Sequence, residues 1–130
     1  MATVGGSLTH KDLEQTIAAS AARTATFTSD DFQNIDSAKG GHLIVDVTAG
    51  TGFNLTPKIQ GKDSVSGKYY DLLIGVAITA TGTTVLKIYP GIAVSPNVAA
   101  SDILPRTWRV VVTAADATSA TYSVGVSLAL

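Results

Sequence analysis

No cysteine occurs in the 130 residues, which removes disulfide frameworks, thiolate zinc sites and cysteine nucleophiles together and leaves packing alone to hold the fold. Positive charge is not in excess: nine Lys and Arg stand against ten Asp and Glu, for a net charge of -1 and a pI of about 6.0. A chain so balanced lacks the electrostatic footprint that attracts phosphates or anionic lipid, so neither nucleic acid nor membrane is an expected partner. Long apolar runs are missing too. The opening "MATVGGSLTHKDLEQ" has neither the basic start nor the apolar stretch of a secretory signal, and points to folding in a cytosol without a membrane span. Charge of either sign is scarce, at 15% of residues against roughly 25% in ordinary soluble domains, and mean hydropathy is +0.30. Such a surface is either neutral and threonine-rich or covered by another protein, so oligomerisation or docking onto a larger assembly is expected.

What is present has a period of two. From Ala21 onward the runs "RTATFT", "HLIVDVT", "LTPKIQG", "YYDLLIGV", "TVLKIYP", "RTWRVVVT" and "TYSVGVSLAL" are rich in β-branched and aromatic residues and read as about seven strands. Between them lie turn-forming clusters such as "SAKGG", "KDSVSGK" and "SPNVAASD". No intervening segment has the length and periodicity of a crossover helix, so the expected fold is all-β: an antiparallel β-sandwich with Greek-key-like connections over residues 21–130. Residues 1–20 read differently, as a short N-terminal arm in which a helix could begin at Thr9, with Asp12 in a capping position and Leu13 and Ile17 one turn apart. Leu8, Leu13 and Ile17 are then the candidate anchors by which the arm would order against a neighbour.

Reactive constellations are thin. In an alternating strand Arg106, Trp108, Val110 and Val112 share one face and Arg109 the other, which assigns Trp108, Val110 and Val112 to the core and prevents the two arginines from clamping one ligand against the indole. His10 and His42 have no nucleophile or second histidine at useful spacing. Asp30, Asp31 and Asp36 do not follow a calcium-loop pattern and read as turn residues. "GTGFN" and "ATGTT" lack a following helix and cradle no phosphate. Tyr69 and Tyr70 are adjacent, so one faces in and the other out. No catalytic, cofactor-binding or metal residue is assigned, and the chain is not expected to be an enzyme.

The runs "AARTATFTS", "IQGKDSVSGKYYDLL", "AITATGTTVLKIYPGI" and above all "LPRTWRVVVTAADATSATYSVG" resemble a family of short structural proteins encoded among the head and tail genes of tailed bacteriophages, over about residues 21–130. The resemblance implies a virion component made in the host cytoplasm. Its leading form is a capsid decoration (minor capsid) protein on the exterior of the shell, with the major capsid protein as partner and a homotrimer matching local three-fold positions. The other form is a tail or spike component whose sandwich binds a carbohydrate or receptor through outward tyrosines and Arg109. It implies no catalytic residues and no cofactor.

Overall fold

The computed structural model describes residues 13–35 and 37–130. Period-two alternation becomes ten strands: β1 Glu14–Arg23, β2 Phe27–Thr28, β3 Phe32–Gln33, β4 Gly40–Gly50, β5 Leu55–Lys62, β6 Tyr69–Ile74, β7 Gly82–Ile88, β8 Ala99–Ala100, β9 Thr107–Ala114 and β10 Ala120–Ala129. No helix occurs among the described residues. The first sheet has the order β1-β10-β4-β7-β8 and the second β2-β9-β5-β6, with β3 also paired to β9. The two pack face to face as the expected all-β sandwich. All pairings are antiparallel except β7 with β8. The excess over the seven runs read from sequence is β1, β3 and β8: β3 and β8 have two residues each and are too short to show alternation, whereas β2 lies within the run "RTATFT".

The core is the sum of inward positions. Leu43, Val45 and Val47 from β4, Tyr122, Val124 and Val126 from β10, and Leu86 and Ile88 from β7 meet Leu55 and Ile59 from β5 and Trp108, Val110 and Val112 from β9. Trp108 is 4% exposed and the two valines are fully buried, as their shared strand face requires. The Phe32 ring tilts against the indole with centroids 5.0 Å apart. Each large side chain so buried contributes roughly 1.5 to 3 kcal/mol. Two polar atoms enter the core without a hydrogen-bond partner among the described residues, Trp108 Nε1 and the Tyr122 hydroxyl.

The structure corrects the N-terminal assignment. Residues 14–20, placed in a helical arm by sequence, belong to β1, which pairs with β10 from Glu14↔Ser127 to Arg23↔Ala120. The reason is that a spacing of four is shared by both patterns: Leu13 and Ile17 lie on one face of a helix and equally on one face of a strand. Two anchors cannot distinguish them, and the open edge of β10 supplies a hydrogen-bonding partner that an isolated helix lacks. Leu13 and Ile17 pack against the sandwich's own core, where Ala18 is buried. They are therefore intramolecular contacts. The third candidate anchor, Leu8, lies outside the described residues.

β1 is irregular, with register shifts between Thr16 and Ala18 and between Ala18 and Ala21. Arg23 stabilises the second bulge: its Nη2 donates to the Ala19 carbonyl at 2.7 Å, its Nη1 to the carbonyls of Ala21 and Tyr122, and its guanidinium lies 4.6 Å from the Tyr122 ring centroid. Bulges twist an edge strand away from edge-to-edge pairing. At the opposite edge β8 is only two residues long.

Candidate interaction surfaces

Across the outer face of the second sheet runs one connected polar row. Register sets Gln60 of β5 between Arg109 of β9 and Asp71 of β6. Arg109 Nε donates to Gln60 Oε1 at 2.8 Å, and Gln60 Nε2 donates to Asp71 Oδ1 at 2.8 Å. Lys58 Nζ lies 3.5 Å from the same carboxylate oxygen. The Arg109 guanidinium stacks on Tyr69, 3.4 Å from the ring centroid. Tyr69 in turn donates its hydroxyl to Asp31 Oδ1 at 2.7 Å, and Lys62 Nζ donates to Asp31 Oδ2 at 2.9 Å. Asp31 comes from the connection between β2 and β3, so the row ties all four positions across the sheet together.

This geometry settles what Arg109 does. It points away from Trp108, as the strand parity requires, and its donor satisfies Gln60, which is only 8% exposed. Arg106 sits exposed at the rim, its Nε 3.4 Å from Gln33 Oε1. The two arginines share no ligand-sized space with the indole. The tyrosine pair divides as expected, with a twist in exposure: outward Tyr69 is half-covered by Arg109. Inward Tyr70, at the open end of the sandwich, is 46% exposed and lies where a β-carbon on Gly61 would come within 2.5 Å of its ring.

The acidic residues do structural work. Asp31 is held below the usual carboxylate range by its hydrogen bonds from Lys62 and Tyr69, and the Lys62 ammonium is raised in return by Asp31. Asp63 accepts from Val65 N and from Ser66 Oγ, and Asp116 accepts from Thr118 N, bonds that lower both carboxyls within their turns. His42 is exposed on the outer face of β4, while His10 and Asp36 fall outside the described residues. Among the described residues no three His, Cys, Asp or Glu side chains gather as a metal site would need.

Sequence reasoning missed the apolar surface. On the side where β6 and β8 form the edges of their sheets, Val94 is 68% exposed and Val76 62%, with Ile74 and Val98 also outside. Asn97, in the left-handed conformation at φ 62°, donates Nδ2 to the Ile74 carbonyl at 2.9 Å and fastens the turn to β6. The available signal was "GIAVSPNV", where valines flank turn-forming residues outside any alternating run. Isolated exposed valines are ordinary; several on one side form an apolar surface on an under-charged domain.

Two outcomes follow from the polar row. Trp108→Ala is expected to cost about 3 to 5 kcal/mol through a core cavity, and Arg109→Ala about 1 to 3 kcal/mol because it leaves Gln60 Oε1 unpaired in a buried position; urea unfolding of both variants measures the order. This raises Arg109 above an ordinary surface residue, and equal losses for the two variants would contradict the face assignment. Because folding depresses the Asp31 carboxyl, its pairing contributes fully above the unfolded carboxyl's ordinary value of about 3.9 and is lost as pH falls through the lower folded value. Melting curves from about pH 7 to about pH 3 should show Asp31→Asn less stable at neutral pH and converging on the parent in acid, whereas parallel curves would contradict the pairing. Neither the protein-family models nor the curated proteins give a match to this chain.

Proposed function

We propose that this chain is a structural virion protein, a decoration protein that docks on the major capsid protein from the outside of a tailed-phage head and stabilises the shell by burying surface in the assembled state. The observation that carries the reading is the apolar side bearing Ile74, Val76, Val94 and Val98 on a domain with only 15% charged residues. The resemblance of "LPRTWRVVVTAADATSATYSVG" to phage head and tail proteins supplies the class of partner. A decoration protein's chemistry is contact, and here the polar groups of the second sheet's outer face bind one another. In this reading the copies sit as trimers at local three-fold positions. The tail or spike reading calls for an open aromatic platform. Tyr69, its best outward aromatic, already carries Arg109 on its ring.

Adding the protein to capsids that lack it and measuring co-sedimentation tests the reading. Saturable binding with label spread over the whole shell is expected, and Val94→Asp combined with Val98→Asp should weaken it at least tenfold, about 1.4 kcal/mol, with no change in melting temperature. Absence of binding, or label confined to one vertex or the tail, would overturn it.

A further inference from the structure

The outer face of the first sheet carries a pattern that the sandwich itself does not use. Register aligns Glu14, Ser127, His42 and Lys87 in one row across β1, β10, β4 and β7, and Thr16, Gly125, Ile44 and Val85 in another. The first row has a carboxylate at one end and an ammonium at the other, three strand spacings or about 14 Å apart, too far to pair within the chain. Neither has an ion-pair partner among the described residues. In the second row Gly125 sits in the middle of a ten-residue strand, where glycine weakens pairing. It lies opposite Thr16, beside the first bulge of β1, but that bulge does not fill its outward side: its φ is not positive, and a β-carbon there would meet only Gln15 O at an ordinary 3.6 Å. It forms the floor of a shallow hollow of about 530 Å³ bordered by Thr16, Ile44 and Ser123.

A strand glycine accompanies a bulge or a close approach by another molecule, and the bare outward side of Gly125, set between the Glu14 and Lys87 ends of the face, leaves room for another molecule to approach. We propose that this molecule is a second copy of the chain, packed face to face through the first sheet about a two-fold axis that runs along the strands between β10 and β4. That axis exchanges β1 with β7 and β10 with β4. It sets Glu14 against Lys87 of the second copy at both ends of the first row, and seats Ile44 of each copy in the hollow over Gly125 of the other. Thr16 then meets Val85, and Ser123 meets Asp46, so no like charges oppose. The face is self-complementary in the sense an isologous contact requires. Edge-to-edge pairing through β6 or the part of β7 that β8 leaves uncovered is the competing route to self-association; the bulges of β1 and the register shift of β6 disfavour it at those two edges. The inference goes beyond the capsid reading and holds whether or not the particle is a phage head; a three-fold contact elsewhere would leave it intact.

Sedimentation equilibrium of the full chain, without capsids, tests it. A mass of an even number of 13.3 kDa chains is expected, and Gly125→Lys, which the fold has room for, should halve it while leaving the melting transition of the domain in place. Glu14→Lys or Lys87→Glu alone should weaken association roughly tenfold, and the double reversal should restore it, because only a self-complementary face regains both pairs. A mass of one or three chains, an even species indifferent to Gly125→Lys, or a double reversal no better than the singles would each overturn the proposal.

Discussion

Everything in this sandwich is arranged around β10. It lies between β1 and β4, hydrogen-bonded to both along nearly its whole length. Its inward residues, Ala120, Tyr122, Val124 and Val126, are buried, and the fully buried Tyr122 ring packs in the core with the Arg23 guanidinium against its face. Its outward residues, Ser123, Gly125 and Ser127, are small and uncharged. One strand thus fixes the register of the first sheet, supplies the largest fully buried side chain and determines how closely anything can approach the outer face. Tyr122 brings its hydroxyl into the core unpaired, a cost of about 1 to 3 kcal/mol that the ring's burial offsets.

The two outer faces have opposite characters, and both follow from strand parity. On the second sheet, long polar side chains from three strands and the β2–β3 connection reach one another, so Arg109, Gln60, Tyr69, Asp31 and Asp71 satisfy each other and close the surface. On the first sheet the outward side chains are short or singly charged. The self-association inference draws on the sparse outer face of the first sheet, and the capsid reading on the apolar side bearing Ile74, Val76, Val94 and Val98.

The sandwich was legible from the sequence because six of its seven long strands alternate over enough residues to show their period. Trp108, Val110 and Val112 were legible as core for the same reason, and Arg109 as outward. Three features were not. β1 shares its four-residue apolar spacing with a helix, and its bulges interrupt alternation at Ile17 and again before Ala21. The partners of Arg109 are non-local: Gln60 lies 49 positions away, and only strand order brings it adjacent. The apolar side of Val76, Val94 and Val98 comes from connections, whose packing no periodicity records.

The role of β1 as an integral strand bears on all of this, because it decides whether β10 is central or an edge. Successive amides of β10 point alternately toward β1 and β4, so residue-resolved hydrogen exchange by NMR on the full chain separates the two cases. The account predicts that, across the regular stretch of β10 around Gly125 to Leu128, amides directed at β1 exchange as slowly as those directed at β4, both near the rate of global unfolding. Fast exchange at every second residue, with protection only toward β4, would contradict it and return residues 14–20 to the status of a detachable arm.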